Sequence, residues 1–186
     1  MASLTGGMVY PHDTSVSVAC SSLIPAKIAL GTRARDVLGN EYMYVDFDAA
    51  KAKGEVVAIS SAFLASDVGA TTVGVPLGVV MGTVSSSDMA GWVQIYGVNE
   101  FVLQSTASSS GNPLKAIAVS GGYSVLGGLN STGGSNFFVD GIYRNTSETT
   151  ASSLTGTTLF GYGTVTLNYP FITGKWASTT GSTSGA

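Results

Sequence analysis

The sequence predicts an all-β fold: a β-barrel or β-sandwich of short antiparallel strands, with an extended N-terminal arm and little helix. Two observations predict it. Short runs rich in Val, Ile, Thr, Tyr and Phe recur at roughly 8 to 12 residue intervals, separated by Gly, Ser and Asn, which is the rhythm of a sandwich or barrel. The 186 residues are also 44% hydrophobic but only 10% charged, with 25 Gly, whereas an ordinary soluble domain is roughly 25% charged and ~7% Gly. A chain this apolar, of net charge −3, is not a disordered one, because disorder pairs low hydrophobicity with high net charge.

Residues 1–27 hold turn residues (Gly6, Gly7, Pro11, Pro25) and one alternating piece, Ser15-Val16-Ser17-Val18, and read as an extended arm. A core spans 28–107. It opens with IALGTRARDV, a Leu38-Gly39-Asn40 turn and EYMYVDF, a β-hairpin. Period-two alternation puts Tyr42, Tyr44 and Asp46 on one face of the second strand and Met43, Val45 and Phe47 on the other. DFDAAKAKG (46–54) is the best helical window, and ASDVGA a weaker one. EVVAIS and TTVGVPLGVVMGTV read as strands, the latter bent or split at Pro76 and Gly78. GWVQIYGV and EFVLQS read as a second hairpin turning around Asn99.

After a Ser/Gly-rich boundary near Ser108 to Pro113, residues 113–174 form a second β layer or small subdomain from KAIAVS, YSVL, NFFVDGIY, TLFGYGTVTLNYP and FITG. Residues 175–186 lack apolar periodicity and read as a flexible tail. The aromatics Tyr96, Phe101, Tyr123, Phe137, Phe138, Tyr143, Phe160, Tyr162, Tyr169 and Phe171 fall one or two per strand. They are expected in the core, a carbohydrate platform being the alternative.

Composition also excludes function classes. Eight Lys/Arg against eleven Asp/Glu cannot build a phosphate-binding footprint, so no nucleic-acid partner is expected. Val68 to Ser87 carries no charge, but its β-branched residues, Pro76 and acidic flanks argue against a membrane span. One Cys (Cys20) and one His (His12) make neither a disulfide nor a zinc site, and no metal or cofactor is expected. His12 sits in a Pro/Gly-flanked arm unsuited to a pre-organised base, and no G-x-S-x-G elbow exists, so no enzyme is expected. The residual catalytic option is a carboxylate pair such as Asp46 and Asp48, which read better as charges blunting a strand edge. The N-terminus shows no basic n-region or apolar h-region, which predicts synthesis in the cytoplasm without a signal peptide.

The stretches GNEYMYVDFDAAKAKGEVV and VGVPLGVVMGTVSSSDMAGWVQIYGV, with Leu30, Gly31 and Thr32 before them, resemble the head decoration or cement proteins of tailed bacteriophages. The matching residues are Gly39, Asn40, Glu41, Tyr42, Tyr44, Val45, Gly54, Val56 and Val57, then Gly78, Val79, Gly91, Trp92, Val93, Gln94 and Gly97. The resemblance covers 28–103, and nothing after Asn112 carries it. MASLTGG is similar to the start of a coliphage major capsid protein, but the chain is too short for that fold and lacks its spine helix. The decoration resemblance implies a non-enzymatic virion protein, often a homotrimer, bound outside the capsid lattice with the phage major capsid protein as partner. The expected contacts are Val9, Tyr10, Val16 and Val18, adding a strand to a capsid sheet edge, and Trp92, which suits either a core or an interface. The alternative is a phage fibre or receptor-binding β-domain that recognises host surface glycans.

Overall fold

The computed structural model describes residues 18–19, 28–68, 74–87, 89–105, 115–119, 123–127, 136–144, 151–155 and 158–176. Every regular element among them is a strand: β1 Val18–Ala19, β2 Arg33–Arg35, β3 Glu41–Phe47, β4 Val56–Ile59, β5 Leu64–Asp67, β6 Leu77–Val80, β7 Met89–Ser105, β8 Lys115–Val119, β9 Tyr123–Gly127, β10 Asn136–Arg144, β11 Ala151–Thr155 and β12 Thr158–Trp176. The all-β expectation holds. Two strands are long, β7 with 17 residues and β12 with 19, and two pairings, β3 with β5 and β7 with β9, are parallel.

The first half of β7 closes a small barrel. β7 pairs with β3 on one edge and β6 on the other, and β4 and β5 complete the circuit between them. Closure removes sheet edges that would otherwise be left to pair with other chains. The predicted alternation in β3 is observed. Met43, Val45 and Phe47 point inward with Val57, Ile59, Ala65, Val80, Val93 and Ile95. Tyr42 and Tyr44 lie on the opposite face, where they pack with Ala34, Ala90 and Trp92. Both faces of β3 are therefore covered, which accounts for its nearly continuous burial.

The second half of β7 enters another circuit, β7–β12–β10–β8–β9, which closes through one parallel pair, Gln104 with Leu126. The two circuits share a hydrophobic layer. Val56, Ala58, Leu77 and Val79, on the outer face of the first barrel, pack against Val102, Ile142, Val165, Leu167 and Ile172. Backbone bonds reinforce the seam, with Gly74 N donating to Ile172 O at 2.8 Å and Leu103 N to Gly54 O at 2.8 Å.

Three sequence expectations are corrected. Residues 46–54 are not helical: Asp46 and Phe47 end β3, and Lys51 forms an isolated bridge with Val84. Its buried ammonium sits 3.1 Å from Asp48 Oδ1 and 3.0 Å from Asp67 Oδ1. Burial opposes that charge, but the hydrogen bonds and attraction of Asp67 and Asp48 outweigh it, so the Lys51 pKa lies above its ordinary value. The weaker window, ASDVGA, contributes Ala65 to Asp67 to strand β5. The expected hairpin around Asn99 is instead continuous strand, because buried side chains satisfy the backbone there. Gln94 Nε2 donates to the carbonyls of Tyr96 and Val98, both at 3.1 Å, and Phe101 N donates to Asn99 Oδ1 at 2.8 Å.

TLFGYGTVTLNYP and FITG likewise merge into β12, with Pro170 inside it. Pro has no N–H for the ladder, and the chain bulges there. Tyr169 takes φ 46°, and the facing Gly141 has φ 76°. A Cβ on Gly141 would lie 2.6 Å from Asn168 O. The predicted arm is described only at β1, whose residues pair with Ala90 and Met89 of β7; the boundary at 108–113 lies outside the described residues, and of the predicted tail at 175–186 only Lys175 and Trp176 are described, which are not a tail but end β12 paired with Phe137 and Asn136.

Two glycines test this architecture differently. Gly39 has φ 86° with open space around its missing side chain, whereas at Gly54, φ 84°, a Cβ would run into the backbone carbonyl of Phe101. Gly39→Ala should cost about 1–2 kcal/mol, the left-handed backbone penalty alone. Gly54→Ala should cost measurably more in chemical denaturation, because β7 must move as well. Equal losses would contradict the close approach of the 54 loop to β7.

Candidate functional site

The β2–β3 hairpin and the middle of β7 frame an open cleft of about 450 Å³, lined by Asp36, Leu38, Asn40, Tyr42, Met81, Gln94, Val98, Asn99, Glu100 and Phe101. Its geometry begins with Asp36. One carboxylate oxygen, Oδ1, accepts from the backbone N–H groups of Leu38 and Asn40, both at 2.9 Å. The other, Oδ2, accepts from Asn40 Nδ2 at 2.8 Å and from the Tyr42 hydroxyl at 2.9 Å. Gly39 N closes the turn onto Asp36 O at 3.1 Å, with glycine taking the left-handed conformation that ends such hairpin loops. Asn40 Oδ1 then accepts from Val98 N at 3.0 Å, tying the hairpin to β7.

This rigid tip presents Val37 and Leu38 to solvent at 84% and 83% exposure. Beside it Leu38, Val98 and Phe101, all exposed, give the cleft an apolar wall. Its ionisable groups among the described residues are Asp36, Glu100 and Tyr42, and the Lys53 ammonium lies 4.3 Å from the ring centre of Phe101 on its wall. Burial works against the Asp36 charge, but the four hydrogen bonds outweigh it and hold its carboxyl below the ordinary range. That is the opposite of what a general acid needs, and Asp36 here organises structure.

A second cluster lies where β2, β3, β7 and β12 meet. Tyr96 and Tyr169 stack in a tilted pair with ring centroids 5.1 Å apart, and the Arg33 guanidinium lies 6.0 Å from the Tyr169 ring centre. The Tyr169 hydroxyl donates to Glu41 Oε2 at 2.7 Å. Glu41 Oε1 accepts from the Arg35 guanidinium, from Nε at 3.1 Å and from Nη2. Burial raises the Glu41 pKa, but the hydrogen bonds from Tyr169 and Arg35 and the two arginine charges more than compensate and lower it. A left-handed backbone on a bulky residue such as Tyr169 is uncommon and strained, and here it holds the ring against Tyr96.

The structure redistributes the aromatics. Tyr96, Phe101, Tyr143, Tyr169 and Phe171, expected in the core, are exposed; the side chains of Tyr123, Phe137, Phe138 and Phe160 lie outside the described residues. Buried aromatics are instead Tyr42, Tyr44, Phe47 and Trp92. Trp92 packs edge-on to Tyr44 at 5.1 Å and is covered by its own chain. Val9, Tyr10 and Val16 lie outside the described residues, as do His12 and Cys20, and Val18 is placed only by its backbone pairing with Ala90. Among the described residues no three His, Cys, Asp or Glu side chains group as metal ligands, and no helix is long and apolar enough to cross a membrane.

The chain matches no protein-family model, no curated protein and no solved structure. The surface must therefore be read from its own chemistry. Sequence reasoning placed the Gly39 turn but did not single out Val37 and Leu38. The available signal was a pair of large aliphatics inside a turn, where polar residues are usual.

Asp36 and Glu41 both ionise more readily in the folded chain than in the unfolded one. Their stabilisation is complete above the ordinary carboxylate range, roughly pH 4, and is lost as pH falls through their lower folded values. The denaturation midpoint should therefore drop below about pH 4. Asp36→Asn should cost about 1–3 kcal/mol at neutral pH and flatten the acid limb. A D36N variant with the wild-type pH profile would contradict the assigned role.

Proposed function

We propose that this chain is a bacteriophage virion structural protein that binds the outside of the capsid lattice and stabilises the head, a decoration or cement protein. The observation that carries the reading is the exposed apolar ground around the cleft: Val37, Leu38, Val98 and Phe101 on a rigid strand frame in a chain with few charges. Contiguous exposed apolar surface of this kind marks protein–protein contact. The resemblance of residues 28–103 to decoration proteins supports the same reading. Binding only to the assembled lattice stabilises it by mass action, and many copies acting together strengthen the effect. In this reading the protomers form a homotrimer, sit on the capsid surface as partners of the major capsid protein, and perform no catalysis.

A second reading, a fibre or receptor-binding domain for host glycans, is favoured by one observation. The Tyr96–Tyr169 pair is exposed beside Arg33, Arg35 and Glu41, an arrangement of aromatic faces and polar groups that suits sugar rings.

Co-sedimentation with emptied heads of the virus that carries this chain separates the two readings. The capsid reading predicts saturable uptake at a fixed ratio to capsid subunits on expanded shells and none on unexpanded ones. Absence of uptake, with binding on a glycan array that Tyr169→Ala abolishes, would replace it with the second.

A further inference from the structure

We propose that Lys51 and Asp67 join in an intramolecular amide bond, a single-turnover self-modification that does not depend on what the protein binds. The Lys51 side chain is 1% exposed, and its nitrogen lies 3.0 Å from Asp67 Oδ1 and 3.1 Å from Asp48 Oδ1. Lys51 Nζ and Asp67 Oδ1 are both shut off from solvent. Lysine is almost never buried to this extent. Both partners are pinned by their backbones: Lys51 exchanges two hydrogen bonds with Val84, at 3.0 and 2.8 Å, and Asp67 pairs with Val57 in the β4–β5 ladder. Reacting groups in a productive arrangement stand about 3–3.5 Å apart, and the Asp67 carboxyl carbon is one bond beyond the oxygen that Nζ touches.

The chemistry balances within the three side chains. The ion pair is the resting state, because burial opposes the lysine charge but Asp67 and Asp48 outweigh it. Transfer of one proton across the 3.0 Å contact gives an amine and a carboxylic acid, the neutral forms that a site closed to water penalises least. The Nζ lone pair attacks Asp67 Cγ and forms the C–N bond. Asp48 takes a proton from the nitrogen and returns it to the departing hydroxyl, the C–O bond breaks, and one water leaves. Ammonium and carboxylate thus become amide and water with no other reactant. Holding the two groups together supplies the drive that a free amine and acid lack in water, through effective molarities of about 10⁵–10⁸ M. The Asp67 side chain as a whole is 44% exposed, which gives the water a way out. The gain is structural: β5 joins β3 through two residue pairs alone, Asp46 with Leu64 and Phe47 with Ala65, and the new bond fastens the end of β5 to the segment that follows β3.

The test is peptide mapping by mass spectrometry on the full chain, aged at neutral pH, then denatured and cut with trypsin after Lys and Arg. The expected product is a branched peptide that joins residues 36–53 to 54–115, lighter than the two together by one water, with no cleavage after Lys51. Lys51→Arg keeps a charge between the two carboxylates but has no amine to acylate, and it should yield separate peptides, as should Asp67→Ala. Asp48→Asn should form the bond about a hundredfold more slowly. Aged wild type that is cleaved after Lys51 and yields only separate peptides would overturn the proposal. A loss of water mapped to Asp48, or one that persists in Lys51→Arg, would overturn the assignment of the bond, and formation at the wild-type rate in Asp48→Asn would overturn the role of Asp48 as proton acceptor.

Discussion

One backbone, β7, has to satisfy two closed hydrogen-bonded circuits at once, and the rest of the fold depends on its doing so. Residues 89–96 pair with β3, and Val93 and Gln94 pair with β6; residues 96–105 pair with β12. A strand that changes partners must bend, and a bend leaves carbonyls and amides without ladder partners, which is costly when they are buried. Gln94 and Asn99 meet that need from inside, bonded to one another at 2.9 Å as well as to the backbone. Gly97, with φ 97°, supplies the turn in the chain, and a side chain there would collide with Asn40. The bend, the buried amides and the hairpin are thus one construction, because Asn40 also holds Val98.

That construction links the core to the surface. The bonds that bend β7 also seat the β2–β3 hairpin beside it, so the apolar tip and cleft are tied to the barrel through Asn40 and Val98. On the other side of β3, Glu41 reaches Tyr169 of β12 and Arg35 of β2, a polar counterpart to the hydrophobic layer joining the circuits. Among the described residues, several of the few charges fix relative positions: Asp36 on the turn, Glu41 on the strand junction, and Asp48 and Asp67 on Lys51.

Much of the fold was legible because period-two alternation and turn chemistry are local signals. The β3 faces, the Gly39 turn and most short strands follow from them. What was illegible depends on distant residues. Gly97-Val98-Asn99 carries every local mark of a turn, and only the burial of Gln94 beside it makes continuous strand the better solution. The Asp46–Gly54 window has helical composition, but Lys51 finds Asp67 and Val84 across the fold. The parallel β3–β5 pairing has no sequence signature at this length. The aromatics split between core and surface according to which face each strand turns outward after the bulges in β7 and β12, and periodicity does not carry across a bulge. Val37 and Leu38 were hidden for a simpler reason: hydrophobic residues are expected inside, and their exposure is visible only once the turn is built.

The dependence of both circuits on β7 is tested most directly by native-state hydrogen exchange resolved to single amides. If one continuous strand holds the two circuits together, the amides of Val93 and Val102, on either side of the bend, exchange with the same free energy, that of global unfolding. Should Val102 exchange through a lower-energy opening while Val93 remains protected, the two halves would be separate cooperative units and the account of β7 as their common element would be wrong.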